Sequence, residues 1–235
     1  MRKILSILPI IILLSSNLNA QKLGIRAGIN LTNMIIEQNE SVMGNRPNSK
    51  MGAHFEVLGY VPFHSLWALE SAIGISSKGY IIRLAENKKQ SDYPYDIFGK
   101  RNLTYLEIPL RVKIQKKWGD VDCFAAVGPQ MSIGIHGKWN TEKILENKST
   151  IVVRQTKWND TRDVNSLKRV DFGLFAGLGF AYKSLMVEFS YSGSFNNISA
   201  FDGVTAKNKV FSLSVGRYFE KSIHPKPKVE TGYIK

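Results

Sequence analysis

Serine, histidine and carboxylate side chains are the usual parts of a hydrolytic site, and this chain offers few of them in a useful pattern. Its four histidines are His54, His64, His136 and His224. Ser132 and His136 fall on one phase of a single alternating stretch, which would put a nucleophile and a base on the same strand face. An inward His136 near an Asp or Glu would then supply acyl-transfer chemistry, although two-residue alternation produces such coincidences freely. His54 and His136 are both expected to point inward near the ends of long loops. The plainer reading is a hydrogen-bonded interior histidine. No H-E-x-x-H, G-x-S-x-G, P-loop or paired-cysteine pattern occurs. Cys123 is the single cysteine, so there is no internal disulfide and no multi-cysteine metal site. It reads as a small apolar packing residue. The expectation is a protein that is not an enzyme, with no catalytic residue, no cofactor and no metal.

More telling are charged residues placed at every second position among aliphatic ones. In Tyr105–Gln115, YLEIPLRVKIQ, the residues Leu106, Ile108, Leu110, Val112 and Ile114 alternate with a set that includes Glu107, Arg111 and Lys113. A period of two means a strand with one apolar and one charged face. The same alternation runs through seven further stretches, around 23–32, 51–58, 67–75, 121–136, 170–181, 185–192 and 211–216. The polar phase is rich in Gly, Ala and Ser, and it carries Arg26, His54, Glu56, Glu70, Glu107, Arg111, Lys113, Asp122, Asp171 and Glu188.

The elements that position these residues are therefore strands. The spacing predicts an all-β, eight-stranded antiparallel up-and-down barrel over residues 21–219. Short connections at Val61–Ser65, Lys117–Asp120 and Lys183–Ser184 alternate with long polar ones near 33–49, 81–102, 137–167 and 196–208. With their flanking residues the strands are long enough for a tilted transmembrane strand, which needs roughly 9 to 11 residues. Short turns on one side and long loops on the other fit a transmembrane barrel with periplasmic turns and extracellular loops. A lipocalin-like soluble barrel shares the meander, but it would need large apolar residues inside. A lumen of eight strands has room for side chains and none for a stream of water, and small residues interspersed with pairable charges suit it. The charged face is then the inner one, and the apolar face meets lipid.

The ends of the chain agree with export. Arg2 and Lys3 precede an apolar run from Ile4 to Leu14, and Ala20 offers a cleavage point, so residues 1–20 read as a signal peptide. That run falls short of the roughly 20 apolar residues of a spanning helix. Of the 32 Lys and Arg, two lie in this leader, which leaves 30 against 19 Asp and Glu, a net charge of +11. Such a balance favours an anionic partner, and export makes nucleic acid an unsuitable one. Outer-membrane lipids, including lipopolysaccharide, remain. Residues 220–235, with His224-Pro225-Lys226-Pro227-Lys228, read as a periplasmic tail.

Aromatic residues gather at the strand ends. Tyr60, Phe63, Trp67, Trp118, Tyr182, Tyr218 and Phe219 lie near the short turns, and Tyr80, Phe172, Tyr191, Phe195 and Phe211 lie near the long loops. Two such belts match interfacial girdles.

Five stretches in order, Gly24–Leu31, Tyr105–Leu110, Val127-Gly128-Pro129, Phe172–Gly179 and Val210–Phe219, resemble the PorT-like outer membrane beta-barrel domain family of Gram-negative bacteria. The resemblance covers residues 21 to about 219. It implies an eight-stranded outer-membrane barrel and no one activity. The namesake of the family is an accessory of a secretion system, and some eight-stranded barrels modify lipid A. Both roles stand as alternatives to a structural or binding protein. The chain departs from the pattern by continuing past Phe219.

Loops on a rigid scaffold carry recognition. The loop-surface candidates are Lys138, Lys143, Lys148, Arg154, Lys157 and Trp158, within a segment whose Thr150–Trp158 part is expected to extend a hairpin. They would form a platform for phosphorylated lipopolysaccharide or for a protein partner, the alternative being a hairpin that merely tolerates an anionic surface. The tail offers a second place for a protein partner.

Overall fold

The computed structural model describes residues 22–38, 47–85, 95–145, 148–163 and 165–219. The leader 1–20, the tail 220–235 and the side chains of Lys143 and Lys148 lie outside the described residues.

Among the described residues nine strands form: β1 (Lys22–Gln38), β2 (Lys50–Pro62), β3 (Trp67–Ala85), β4 (Tyr95–Trp118), β5 (Val121–Leu145), β6 (Lys148–Gln155), β7 (Val170–Tyr182), β8 (Leu185–Ser194) and β9 (Val204–Phe219). All pairings between strands are antiparallel, and the sheet closes on itself through β4–β5 and β1–β9. The count is nine rather than the expected eight. β5 is long enough to carry two partners along one edge. β7 pairs with Val121–Ile133, and β6 pairs with Lys138–Leu145. Between them the chain leaves that edge after Thr156, whose N–H still bonds Gly137 O, and returns at Arg169, whose carbonyl accepts from Gly134 N–H. The expected extension of the hairpin past Thr150 is therefore present as β6.

The connections at one end are tight. Gly119-Asp120 joins β4 to β5, and Gly119 takes φ 62°, a left-handed conformation that suits glycine at the first turn position. Lys183-Ser184 joins β7 to β8. At the other end much of what the sequence marks as loop is strand. β3 pairs with β4 as far as Ala85↔Asp96, and β4 with β5 as far as Tyr95↔Leu145. Polar composition ends the apolar stripe there, but it does not end backbone pairing, and one phase of the extensions, with Ile82, Gly99 and Arg101, stays buried.

The question of which face is inside has a clear answer. Within one strand, Glu107, Arg111 and Lys113 are 7 %, 1 % and 2 % exposed, whereas Leu110 and Val112 are 47 % and 39 % exposed. Leu23, Ile29, Phe55, Ile73, Ile75, Leu178, Phe189 and Val215 lie on the same apolar exterior. Cys123 shares this outer surface, so it is exposed and does not pack in the interior. The aromatic belts are outward at Phe63, Trp67, Trp118, Tyr182 and Phe219, and again at Phe172, Tyr191, Phe195 and Phe211. Tyr60, Tyr218 and Tyr80 depart from them. They are buried because they continue the inward phase of β2, β9 and β3.

One irregularity changes the reading of β5. Thr104 faces His136 while the next residue, Tyr105, faces Gly134, so Ile135 is an extra residue. A bulge of this kind inverts the alternation beyond it. Gly134 is buried, His136 is exposed and Gly137 is buried. The inward His136 expected from the sequence is therefore turned out.

Candidate functional site

The lumen is layered. Closest to the short turns, Leu58, Tyr60, Ala68, Ala72, Phe124, Met186 and Tyr218 form an apolar cluster. Above it sits a six-membered ion cluster. Arg26 on β1 is the direct cross-strand neighbour of Glu56 on β2, and Glu70 on β3 is that of Arg111 on β4. Arg26 Nη2 lies 2.6 Å from Glu56 Oε2, and Arg26 Nη1 donates to both oxygens of Glu188 at 2.9 Å. Arg111 donates to Glu56 at 3.1 Å and to Glu70 at 3.0 Å. Lys113 Nζ reaches Glu70 at 3.4 Å and the Tyr218 hydroxyl at 3.0 Å, and that hydroxyl donates to Glu70 at 2.6 Å. Three cations meet three carboxylates, so the layer is neutral. Arg111 also stacks over Phe175 at 4.0 Å and Lys113 over Phe124 at 3.5 Å.

A second polar layer follows. Lys78 Nζ lies 2.7 Å from Glu107 and 4.0 Å from Asp171, and it donates to Ser132 Oγ at 3.1 Å. Asn208 Nδ2 donates to Asp171 at 2.9 Å. His54 is held between Asn30 Oδ1, 2.6 Å from Nδ1, and Ser214 Oγ, 2.9 Å from Nε2. Cavities of only about 10 and 20 Å³ lie beside these two layers, room for about one water each.

Eight of the ten residues assigned to the polar lumen from sequence are buried there together, and His54 joins them half-buried. Asp122 does not join. It is half-buried near the β4–β5 turn and makes none of the ion pairs, because the apolar cluster of Phe124 and Tyr60 lies between it and the cations. Lys78, Tyr218, Asn30 and Asn208 are members that the sequence reading missed. Following the even-numbered phase of β3 past Gly74 to Ser76 and Lys78 would have found the central cation of the second layer.

The mouth at the loop end is closed by a second apolar cluster: Met34, Tyr80, Ile82, Leu103, Tyr105, Leu167, Ile198 and Ala206, with Trp139 and Trp158 packed against it. Leu167 and Ile198 come from the connections before β7 and β9, which cross the opening. They are tied by Lys168 N to Ile198 O at 2.7 Å and Ala200 N to Ser166 O at 3.2 Å. Trp158 is thus not the surface contact expected. Its ring stands edge-on to Tyr105 at 6.0 Å and fills the space that a side chain at Gly134 would need, with 2.3 Å left to a Cβ there.

Of the other loop candidates, Lys138, Arg154 and Lys157 are exposed. Lys157 is engaged with Asp160 and Asp163, each at 3.5 Å. The backbone of Lys143 pairs with Thr150 and that of Lys148 with Leu145. The Asp163 carboxyl is held below its ordinary range, first by the hydrogen bond from the Asn165 backbone N–H and then by Lys157.

The geometry excludes the one catalytic pairing that the sequence raised. Ser132 is buried and bonded to Lys78, while His136 is exposed beyond the bulge. Among the described residues no group of three His, Cys, Asp or Glu side chains could hold a metal ion.

Comparison with known proteins follows the architecture. The outer membrane protein beta-barrel domain family matches residues 17–200. No curated protein matches. Among solved structures the chain is similar to OprG of Pseudomonas aeruginosa, with 13% identity over 86% of this chain and 98% of that one, at a TM-score of 0.46. It is also similar to Ail of Yersinia pestis, with 14% identity over 84% and 98%, at 0.40. Neisserial surface protein A follows, with 11% identity over 84% and 97%, at 0.39. With its apolar exterior, closed sheet and charged interior, the chain belongs to the outer membrane protein beta-barrel domain family, and its location is the outer membrane.

Proposed function

We propose that this protein is a non-conducting integral barrel that works by binding or as structure, through its loop end, and not by catalysis. The spanning wall is read as eight strands, with β6 standing above the membrane on the edge of β5 that β7 uses within it. The short turns are read as periplasmic and the long extensions as extracellular. Within the family, the ordered stretches from Gly24–Leu31 to Val210–Phe219 support membership of the PorT-like group. Outer-membrane lipids are the expected surroundings, and the extracellular loops are the expected contact surface for lipopolysaccharide or a protein partner.

The observation that carries this reading is the stack of side chains along the lumen. An apolar layer, a neutral ion cluster, a second polar layer and an apolar mouth follow one another. An aqueous channel needs a continuous polar path, and the cavities beside the ion pairs hold about one water each. Planar-bilayer recording of the purified protein tests it. No stable large conductance is expected, and a large stable conductance would overturn the closed-lumen reading. Electrophoresis of outer-membrane protein with and without boiling gives the companion result. A faster unboiled band is expected, and recovery in the soluble periplasmic fraction with no shift would sink it.

A further inference from the structure

Outside the lumen, the loop end holds a pocket with an excess of donors. It lies where the β5–β6 hairpin meets the chain that crosses the mouth, and its volume is about 340 Å³. That falls within the size of small-molecule sites, about 300 to 1,000 Å³, and well above what a bare oxyanion fills. Its charged lining is Arg101, Arg154, Lys157 and Asp163. Asp163 is the one carboxylate, and it is already taken up by Lys157 and by the Asn165 backbone N–H. Among the described residues neither guanidinium group makes an ion pair with an acid, and Arg101 only acts on the Asp163 charge at longer range. Arg101 is 4 % exposed, and one of its nitrogens donates to the Asn165 backbone carbonyl, while its Nε has no hydrogen bond. The buried Thr156 hydroxyl is also unpaired. Among the described residues Arg154 has no acidic partner.

A buried donor without a partner costs roughly 1 to 3 kcal/mol, more when it is charged. Arg101 is such a donor, and together with the exposed Arg154 on the same concavity it makes an arrangement that anions satisfy, because guanidinium matches the oxygens of phosphate in a fork. The rest of the wall is Trp139 and Val152 together with Thr141, Gln155, Thr156 and Asn165. An aromatic ring beside several amide and hydroxyl groups suits a ring-shaped polyhydroxyl body better than an apolar one.

We infer that this pocket binds a phosphorylated saccharide, with the phosphate held by Arg101 and Arg154 and the sugar against Trp139. The inference rests on reading the loop end as the working surface, and it adds a ligand class to that reading. A phosphorylated saccharide is available either as a diffusible sugar phosphate or as the headgroup of lipopolysaccharide.

The test is calorimetric titration of the folded protein in detergent micelles. The probes are N-acetylglucosamine 1-phosphate, neutral N-acetylglucosamine, inorganic phosphate and purified lipopolysaccharide before and after dephosphorylation. Arg154→Gln is the key variant, since Arg154 is exposed and holds no ion pair among the described residues. Arg101→Gln, at a buried site, is the second. Binding of the sugar phosphate, weakened at least tenfold in Arg154→Gln and partly restored by Arg154→Lys, supports the inference and assigns a diffusible ligand. Binding of lipopolysaccharide alone, lost on dephosphorylation and weakened by Arg154→Gln, supports it and assigns the headgroup. Equal affinity for the neutral sugar, equal affinity for inorganic phosphate, or binding unchanged in Arg154→Gln overturns it. Capture of a protein by the loops with no phosphorylated sugar bound would leave the loop-end reading standing and remove this one.

Discussion

Arg26 and Glu56 are direct neighbours across the β1–β2 pair, and their side chains meet at 2.6 Å inside the barrel with almost no exposure. Arg111 bonds the other oxygen of the same carboxylate at 3.1 Å. A strand register that places opposite charges face to face on the inner surface satisfies two demands at once. It fills a narrow lumen, and it leaves no buried ion alone. The pairing is weak evidence for net stability, since desolvation offsets much of the attraction. It is strong evidence that removing one member is costly.

Glu56→Gln should therefore cost about 3 to 5 kcal/mol of stability, because it leaves three buried cations against two carboxylates. Arg111→Met errs in the other direction by one charge. The double variant keeps two cations and two anions, and each remains paired through Arg26–Glu188 at 2.9 Å and Lys113–Glu70 at 3.4 Å. Its loss should be smaller than the sum of the single losses by about 1 to 3 kcal/mol. Urea unfolding in detergent micelles measures all three. Strict additivity would mean that the two side chains do not share a network.

The mouth closure depends on a residue without a side chain. Gly134 leaves the notch that the Trp158 ring occupies, and Ile135 then bulges the strand. Gly134→Val should expel the ring and loosen the segment 156–169. Trp158→Ala should do the same by removing the wedge. Truncating a half-buried tryptophan costs about 2 kcal/mol, half of the range for a fully buried one, so the open population rises more than tenfold. Limited trypsin digestion at Lys157 and Arg162 reads that population. Cleavage as slow as in the parent protein would show that Trp158 is not the anchor.

Much of this was legible from the sequence because a strand wall obeys a period of two. Glu107, Arg111 and Lys113 announced the inner face through their spacing alone. What escaped had three physical causes. A bulge carries no fixed sequence signature, so the flip at Ile135 that turned His136 outward was invisible. Apolar residues in the inward phase, such as Leu58, Phe124 and Met186, are the floor of the lumen, and a period of two alone does not mark them as a separate layer. Tertiary closure of the mouth by Trp158, Leu167 and Ile198 depends on contacts between residues dozens of positions apart. No local period reports those contacts. The loop-end pocket belongs to the same class, since Arg101 and Arg154 come to line one pocket only after β6 folds back on β5.

The loop that crosses the mouth should respond to acid. Asp163 accepts from the Asn165 N–H at 2.9 Å and faces Lys157, and these hold its carboxyl below the ordinary range. A carboxylate with a depressed folded value contributes order that is fully present above the unfolded value of about 3.9. That order is lost as pH falls through the lower folded value. The Asn165 amide proton should report the change by NMR, with a midpoint below about 3.9. A midpoint at or above that value, or one unchanged in Asp163→Asn, would show that the hydrogen bond does not persist in solution.

Acyl transfer on lipid A would need a nucleophile and a base within hydrogen-bond reach, roughly 2.6 to 3.2 Å. Ser132 spends its hydroxyl on Lys78 inside the barrel, and His136 stands outside it, past a bulge that would have to be removed to bring the two onto one face. His54, the other strand histidine, has both ring nitrogens bound to neutral Asn30 and Ser214 oxygens rather than to a carboxylate that would orient a base. Lipid A from cells carrying Ser132→Ala, His136→Ala or a full deletion should therefore have the mass spectrum of the parent strain. A mass change on deletion that the wild-type gene reverses and His136→Ala does not would establish an enzyme. It would also require Ile135 to leave its bulged position during turnover, since only then does the inward phase of β5 reach His136.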